Sequence, residues 1–179
     1  ARKKAESYLE FLGKHDVLTQ LRNRAYFEDE LSRLERKGPF PVTVVVMDLN
    51  GLKAANDEQG HAAGDALLRR AGEVLAKAAD KPVCAARIGG DEFVMLMPGA
   101  DEAAGLRMIE RVQSLVELNN QFYSGATLSL SMGCATASGN GERLEATVSR
   151  ADARMYEAKR DFYVAAQRDR RVTRPGPLN

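Results

Sequence analysis

Asp48, Asp91 and Glu92 are the acids whose placement poses a chemical question. Asp48 ends the run VTVVVM (residues 42–47), in which Thr43 alone is not apolar. Asp91 and Glu92 follow Gly89 and Gly90 in RIGGDEF (residues 87–93), between two apolar runs. A carboxylate at the end of a buried strand is fixed by the strand and reached through the loop that follows. Asp48 therefore serves as a ligand as readily as it caps a helix. GGDE alone reads as a plain acidic hairpin turn. Brought beside Asp48, however, its carboxylates would repel unless a cation neutralised them. Hard oxygen donors of this kind suit Mg²⁺, which binds through one or two carboxylates plus substrate phosphates. Gly89 and Gly90, lacking side chains, would then let backbone N–H groups approach a phosphate.

A second set lies in MDLNGLKAANDEQGHAAGD (residues 47–65). Asn56 can donate and accept, and Asp65 can accept from a paired N–H and amine edge such as guanine presents. Structural alternatives stand beside both: Asn56 as a turn cap, and Asp65 as a helix cap at Gly64. His61, between Gly60 and Gly64, reads by itself as a hydrogen-bonded loop residue. No G-x-x-x-x-G-K-[ST] loop is present, and Cys84 and Cys134 lack zinc-ligand spacing. Both cysteines fall in apolar runs and read as small buried hydrophobes.

The elements that must position these groups follow from periodicity. An amphipathic helix over residues 1–11 carries Ala5, Tyr8 and Leu12 on one face and ends at Gly13. Asn23 caps a second helix with the stripe Phe27, Leu31 and Leu34. Residues 42–48 form a strand buried on both faces. A short helix, a glycine turn and a longer helix bearing Leu67, Leu68, Ala71, Val74, Leu75 and Ala78 come next. Residues 83–88 and 93–97 make an antiparallel hairpin around the GGDE turn. Asp101 caps a helix with Leu106, Ile109, Val112 and Val116. Strict alternation in TLSLSMGCAT (residues 127–136) indicates a half-buried strand, and a last helix carries Leu144, Val148, Ala151 and Met155.

The 179 residues fit one α/β domain with short extensions. With 26 basic and 25 acidic residues, charge gives no argument for a nucleic-acid partner. Arg168, Arg170, Arg171 and Arg174, followed by Pro175, Gly176 and Pro177, suggest a basic, flexible tail. No apolar run approaches the ~20 residues of a membrane span, so no membrane contact and a cytoplasmic location are expected. The chain opens at Ala1 inside a charged helical pattern, which suggests a fragment of a longer protein.

Four ordered motifs, HDVLTQLRNR (residues 15–24), MDLNGLKAANDEQGHAAGD, RIGGDEF and ADARMYEAK (residues 151–159), resemble the GGDEF family of diguanylate cyclases. The resemblance implies an α/β (α+β) fold like that of nucleotide cyclases and polymerase palms. A central, mainly antiparallel five-stranded sheet would be surrounded by helices. Residues 1–14 would be a signalling-helix stub, 15–164 the catalytic domain and 165–179 the tail. The implied reaction joins two GTP into cyclic di-GMP with release of two pyrophosphates. Each subunit of a homodimer would hold one GTP, under an upstream sensor. Asp48, the Leu49 carbonyl, Asp91 and Glu92 would hold Mg²⁺ (or Mn²⁺), two ions per site. Asp91 would also be the catalytic base, with Glu92 assisting. Asn56 and Asp65 would read guanine, His61 would lie near substrate, Gly89 and Gly90 would line the phosphates, and Lys159 would belong to the substrate site.

The chain departs from the family pattern in places. Tyr163 stands where an Arg would contact phosphate one helical turn beyond Lys159. Asp80 and Val83 occupy the positions of an Arg-x-x-Asp product-inhibition site, so tight feedback binding of cyclic di-GMP is not expected there. Gln20 replaces a usual Gly, and Asn50 a common Asp; neither touches the implied ligands. A non-catalytic, GTP-binding regulatory module is the main alternative, and intact Asp48, Asp91 and Glu92 favour the enzyme. A polymerase-like or adenylyl-cyclase-like enzyme accounts less well for the guanine pair. Restoring the charge by Tyr163→Arg is expected to tighten GTP binding, read as a lower Kd; an unchanged Kd would remove the argument from this position.

Overall fold

A computed structural model describes residues 1–173 of the chain. The elements are α1 (Arg2–Lys14), α2 (Arg24–Lys37), β1 (Val42–Leu49), α3 (Leu52–Gln59), α4 (His61–Ala78), β2 (Cys84–Arg87), β3 (Glu92–Pro98), α5 (Glu102–Phe122), β4 (Leu130–Ala137) and α6 (Leu144–Thr173). One sheet has the order β2-β3-β1-β4, and each neighbouring pair is antiparallel. It has four strands among the described residues, not the five expected. Beyond β2 the chain contributes a single bridge, Arg22 to Ala86. The connector leaves that edge at once because Asn23 caps α2, its side chain accepting from the Tyr26 N–H at 2.9 Å.

Alternation along β1 builds two cores from one apolar run. Val42, Val44 and Val46 pack with Phe27 and Leu34 of α2 and with Leu144, Ala151 and Met155 of α6. Val45, Met47 and Leu49 pack on the opposite face with Leu67, Leu75, Met108 and Val112 of α4 and α5. Asp48 shares the parity of Val46, so it leaves the sheet on the α6 side. Glu92 is its direct partner across the ladder.

β4 is covered on both faces, which corrects the half-buried strand read from its alternation. Ser131 is only 4% exposed, and its hydroxyl donates to Asn50 Oδ1 at 2.9 Å. Its polar phase is thus satisfied inside the protein rather than by solvent. The helix boundaries differ too. α1 continues through Gly13 to Lys14 and is closed by the His15 N–H, which donates to Phe11 O at 2.8 Å. α6 continues to Thr173, so the boundary expected after residue 164 falls within a helix. Arg168, Arg170 and Arg171 belong to that helix, while Arg174, Pro175, Gly176 and Pro177 lie outside the described residues.

The seat of α6 on β4 depends on Gly133. A Cβ there would come within 2.6 Å of Ala151 O and 2.7 Å of the Arg154 carbonyl carbon. The helix backbone thus lies directly on the strand. Arg150 and Arg154 donate to Thr136 O at 2.9 Å and Cys134 O at 2.6 Å, covering acceptors along β4, one of the two edge strands. Gly133→Ala would force this contact apart and should cost about 1–3 kcal/mol of stability. Denaturant titration should show a lower midpoint; an unchanged midpoint would contradict this account of how α6 is seated.

Candidate functional site

The β1–β3 ladder brings Asp48 and Asp91 together at the end of the central strand. The Leu49 N–H donates to Asp91 O at 2.9 Å, so the acidic turn is bonded to the strand that carries Asp48. Burial pushes the Asp48 carboxyl up to about 6, helped by the side chain of Asp91 and opposed by the Lys159 ammonium. Asp48 Oδ1 is buried without a hydrogen-bond partner. Its other oxygen lies 3.2 Å from Lys159 Nζ, which also donates to Leu49 O at 3.3 Å. An ammonium thus bridges the carboxylate and carbonyl oxygens that a hard cation would use.

These donors fit a divalent ion: one buried, unpartnered carboxylate oxygen, a second carboxylate beside it and a main-chain carbonyl. Among the described residues no three His, Cys, Asp or Glu side chains converge in a metal-holding group. Such a site would leave most of an ion's ligands to phosphate and water, as Mg²⁺ prefers. Glu92 is half-buried; burial, Asp152 and Asp91 raise its pKa, and Arg24 opposes them. Its electrostatic surroundings thus include α6 and the start of α2 as well as Asp91.

The glycines of the turn are not demanded by packing. At Gly90 a Cβ would meet nothing within 4 Å, and at Gly89 only Glu92, at 3.6 Å. Both are exposed, leaving open space at the turn. Arg87 holds the turn from behind. Its guanidinium donates to Gly89 O at 3.1 Å and to Gly90 O at 2.8 Å, and reaches Asp16 at 3.3 Å. Burial works to raise the Asp16 pKa, but hydrogen bonds from Thr19 and the Arg87 charge bring it below its ordinary value. The Arg87–Asp16 tie joins the turn to the connector after α1.

Asn56 and Asp65 come from α3 and α4, which meet around Gly60 and Gly64. A Cβ at Gly64 would overlap the Asn56 side chain, so this glycine makes room for it. Asn56 Oδ1 is buried without a partner, a state that costs about 1–3 kcal/mol unless a ligand or water relieves it. Neither structural alternative for the pair applies: α4 starts at His61 after Gly60, which puts Asp65 inside the helix, and the Asn56 side chain caps nothing. His61 is exposed at the first position of α4.

Comparison with known proteins agrees with this fold. The family model described as "Diguanylate cyclase, GGDEF domain" matches residues 13–162. The chain belongs to the GGDEF domain family. It is 37% identical over 148 residues to diguanylate cyclase DgcS of Shewanella oneidensis, covering 80% of this chain and 49% of that protein. It is 37% identical over 151 residues to diguanylate cyclase DgcP of Pseudomonas aeruginosa, covering 81% of this chain and 22% of that protein. The domain thus spans half or less of these curated relatives. The coiled coil and GGDEF domain of DgcB from Caulobacter crescentus, solved in complex with c-di-GMP, superposes with a TM-score of 0.79. The identity is 28%, over 89% of this chain and 87% of that one. The GGDEF domain of TpbB (YfiN) from Pseudomonas aeruginosa superposes with a TM-score of 0.72 at 34% identity, over 82% of this chain and 89% of that one.

Three contacts of this GGDEF domain were not legible in its sequence: Arg87 to the turn carbonyls, Lys159 to Asp48, and the Gly51 N–H to the Tyr163 hydroxyl at 3.3 Å. The motif RIGGDEF contains Arg87, but only the fold shows that it faces the turn. A stability cost follows from the acids. Asp48 is raised from 3.8 to about 6, so the native state holds its proton longer than the unfolded chain. Its stabilising contribution is full below about pH 4 and is lost as pH rises through about 6. Asp48→Asn should therefore stabilise the metal-free domain at pH 7 by about 1 kcal/mol after allowance for solvent screening. The gain should vanish near pH 4. Thermal unfolding across this pH range tests it, and a loss of stability at pH 7 would contradict the account.

Proposed function

We propose that this GGDEF domain is a diguanylate cyclase that condenses two GTP into cyclic di-GMP and two pyrophosphates. The observation that carries the reading is the apposition of Asp48 and Asp91 at an open, glycine-lined turn, with one buried Asp48 oxygen unpartnered. Asp48, the Leu49 carbonyl and Asp91 would hold divalent cations, Mg²⁺ or Mn²⁺, two per site, and Glu92 would join them by turning its side chain toward Asp91. When bound, the cations supply charge stabilisation to phosphate oxygens.

The chain's own residues position and deprotonate. Asp91 accepts the proton of the 3′-hydroxyl of the facing GTP. The O3′–Pα bond forms as the bond from Pα to the bridging oxygen of pyrophosphate breaks, and two such transfers close the ring. Gly89 and Gly90 let the triphosphate lie against the backbone, while Lys159 contributes positive charge beside it. Positioning and electrostatics supply most of the catalysis in such transfers. Asn56 and Asp65 read the guanine edge, with His61 at the rim. Adenine presents no matching N–H and amine pair to Asp65, which favours the guanine substrate.

Because one domain holds one GTP, two copies must face each other. α1 has no buried residue and exposes Tyr8 and Leu9, a face suited to pairing and to coupling with an upstream sensor. Among the described residues no helix is long and apolar enough to cross a membrane. A second reading, a GTP-binding regulatory module without turnover, is favoured by Tyr163 at a position where a cation would assist phosphate binding.

Incubation of concentrated protein with GTP and Mg²⁺ or Mn²⁺ should yield cyclic di-GMP, and Asp91→Ala should abolish it. Absence of product from the unmodified domain at high protein concentration would defeat the enzyme reading and leave the binding module.

A further inference from the structure

Lys159 and Tyr163 lie four residues apart on α6 and share a face of that helix. Their partners are neighbours in the chain. Lys159 Nζ lies 3.2 Å from Asp48 Oδ2 and donates to Leu49 O at 3.3 Å. The Tyr163 hydroxyl accepts from the Gly51 N–H at 3.3 Å. Gly51 is the N-cap of α3, at φ 76°, and it makes no side-chain cap of its own. The tyrosine ring also lies beside the ammonium, 5.9 Å from Nζ to its centroid. Two adjacent turns of α6 thus occupy the oxygens that would meet a cation and the N–H at the start of α3, two residues beyond Leu49.

We propose that Tyr163 is a positioning residue acting as a latch on the free site, in direct competition with the nucleoside triphosphate. Its hydroxyl holds the Gly51 amide, and its ring backs the Lys159 ammonium against Asp48 and Leu49. The triphosphate enters by replacing the hydroxyl at Gly51 and drawing Lys159 from the carboxylate. The inference rests on reading this site as one for GTP, and it adds how the unliganded site is closed.

The chemistry of the side chain supports a latch over a phosphate anchor. In the observed contact the phenolic oxygen is the acceptor. A guanidinium has no acceptor and could not make this bond to an N–H. A neutral phenol also offers a triphosphate no charge. Tyr163 is 43% exposed, so its ring can swing outward without opening either core.

Tyr163→Phe removes the hydroxyl and keeps the ring. Titration calorimetry with the α,β-methylene analogue of GTP and Mg²⁺ should give a Kd lower by roughly three- to tenfold, the scale of one neutral hydrogen bond. In the nucleotide-free proteins, NMR of the Gly51 amide should show faster hydrogen exchange in the variant than in the unmodified chain. A purely structural tyrosine would leave affinity unchanged or reduce it. An equal or higher Kd in Tyr163→Phe, or unaltered Gly51 exchange, would overturn the latch. Failure of both proteins to bind the analogue would instead defeat the nucleotide reading on which the latch rests.

Discussion

Two carboxyl groups held against each other at the end of a buried strand are the constraint around which this domain is arranged. Asp48 is half-buried, and burial and Asp91 both disfavour its charged form. Left alone, such a pair would push the turn away from β1. The ladder prevents that separation, because the Leu49 N–H is bonded to Asp91 O and Glu92 is paired with Asp48. Lys159 offsets part of the electrostatic cost from the opposite side. The resulting site is stabilised by positive charge, which is the property a site for cations needs. Stability is given up locally and recovered in the two cores, as is common where function demands like charges in contact.

Parity on β1 and the approach of α6 make the arrangement possible. A shift of one residue in register would turn Asp48 toward α4 and α5 and bury Val46 on the wrong face. Gly133 lets the α6 backbone lie on β4 beside Ala151 and Arg154, and one turn beyond Met155 the helix delivers Lys159. Arg87 has the complementary task at the turn. It satisfies the carbonyls of Gly89 and Gly90 from one side and pairs with Asp16 on the other. That leaves the outer side of the glycine turn open. It also ties the turn to the connector that follows α1.

Much of this was readable from residues alone where the signal is local. The β1 run, the hairpin, the caps at Asn23 and Asp101 and the acids at Asp48 and Asp91 all declare themselves within a few positions. What could not be read was either non-local or disguised. Lys159 meets Leu49 and Tyr163 meets Gly51 across more than a hundred residues of sequence, and no periodicity encodes such pairs. Ser129 and Ser131 looked like a solvent face, because an alternating hydroxyl phase cannot announce that Asn50 satisfies it. Gly13 looked like a helix end, yet a single glycine costs a helix only about 1 kcal/mol. The fifth strand came from the family resemblance, and the chain supplies only the Arg22–Ala86 bridge in its place.

The departures of this chain from its family carry physical consequences of their own. Gln20 stands where a Gly is usual and is the one non-glycine residue at positive φ among those described, at 62°, a conformation that disfavours a side chain. The strain is tolerated because the loop is pinned on both sides: the Gln20 N–H donates to Asp16 O at 2.8 Å, and Thr19 bonds the Asp16 carboxylate. Asn50 replaces an acid next to Leu49, and its amide does what a carboxylate could not. Nδ2 donates to Ser129 Oγ at 3.0 Å while Oδ1 accepts from Ser131 Oγ at 2.9 Å. Removing that charge leaves Asp48 and Asp91 as the acids in contact at the strand end and binds β4 to the β1–α3 loop. Tyr163 acts on the same loop from α6, at Gly51. Asn50 and Tyr163 therefore hold adjacent residues of one short segment, the segment that a cation and a triphosphate would both approach under the proposed function. Asn50 fixes it to the sheet through a buried side chain that bonds both Ser129 and Ser131. Tyr163 holds it through a single hydrogen bond from a side chain that is 43% exposed, the contact that the proposed latch would release.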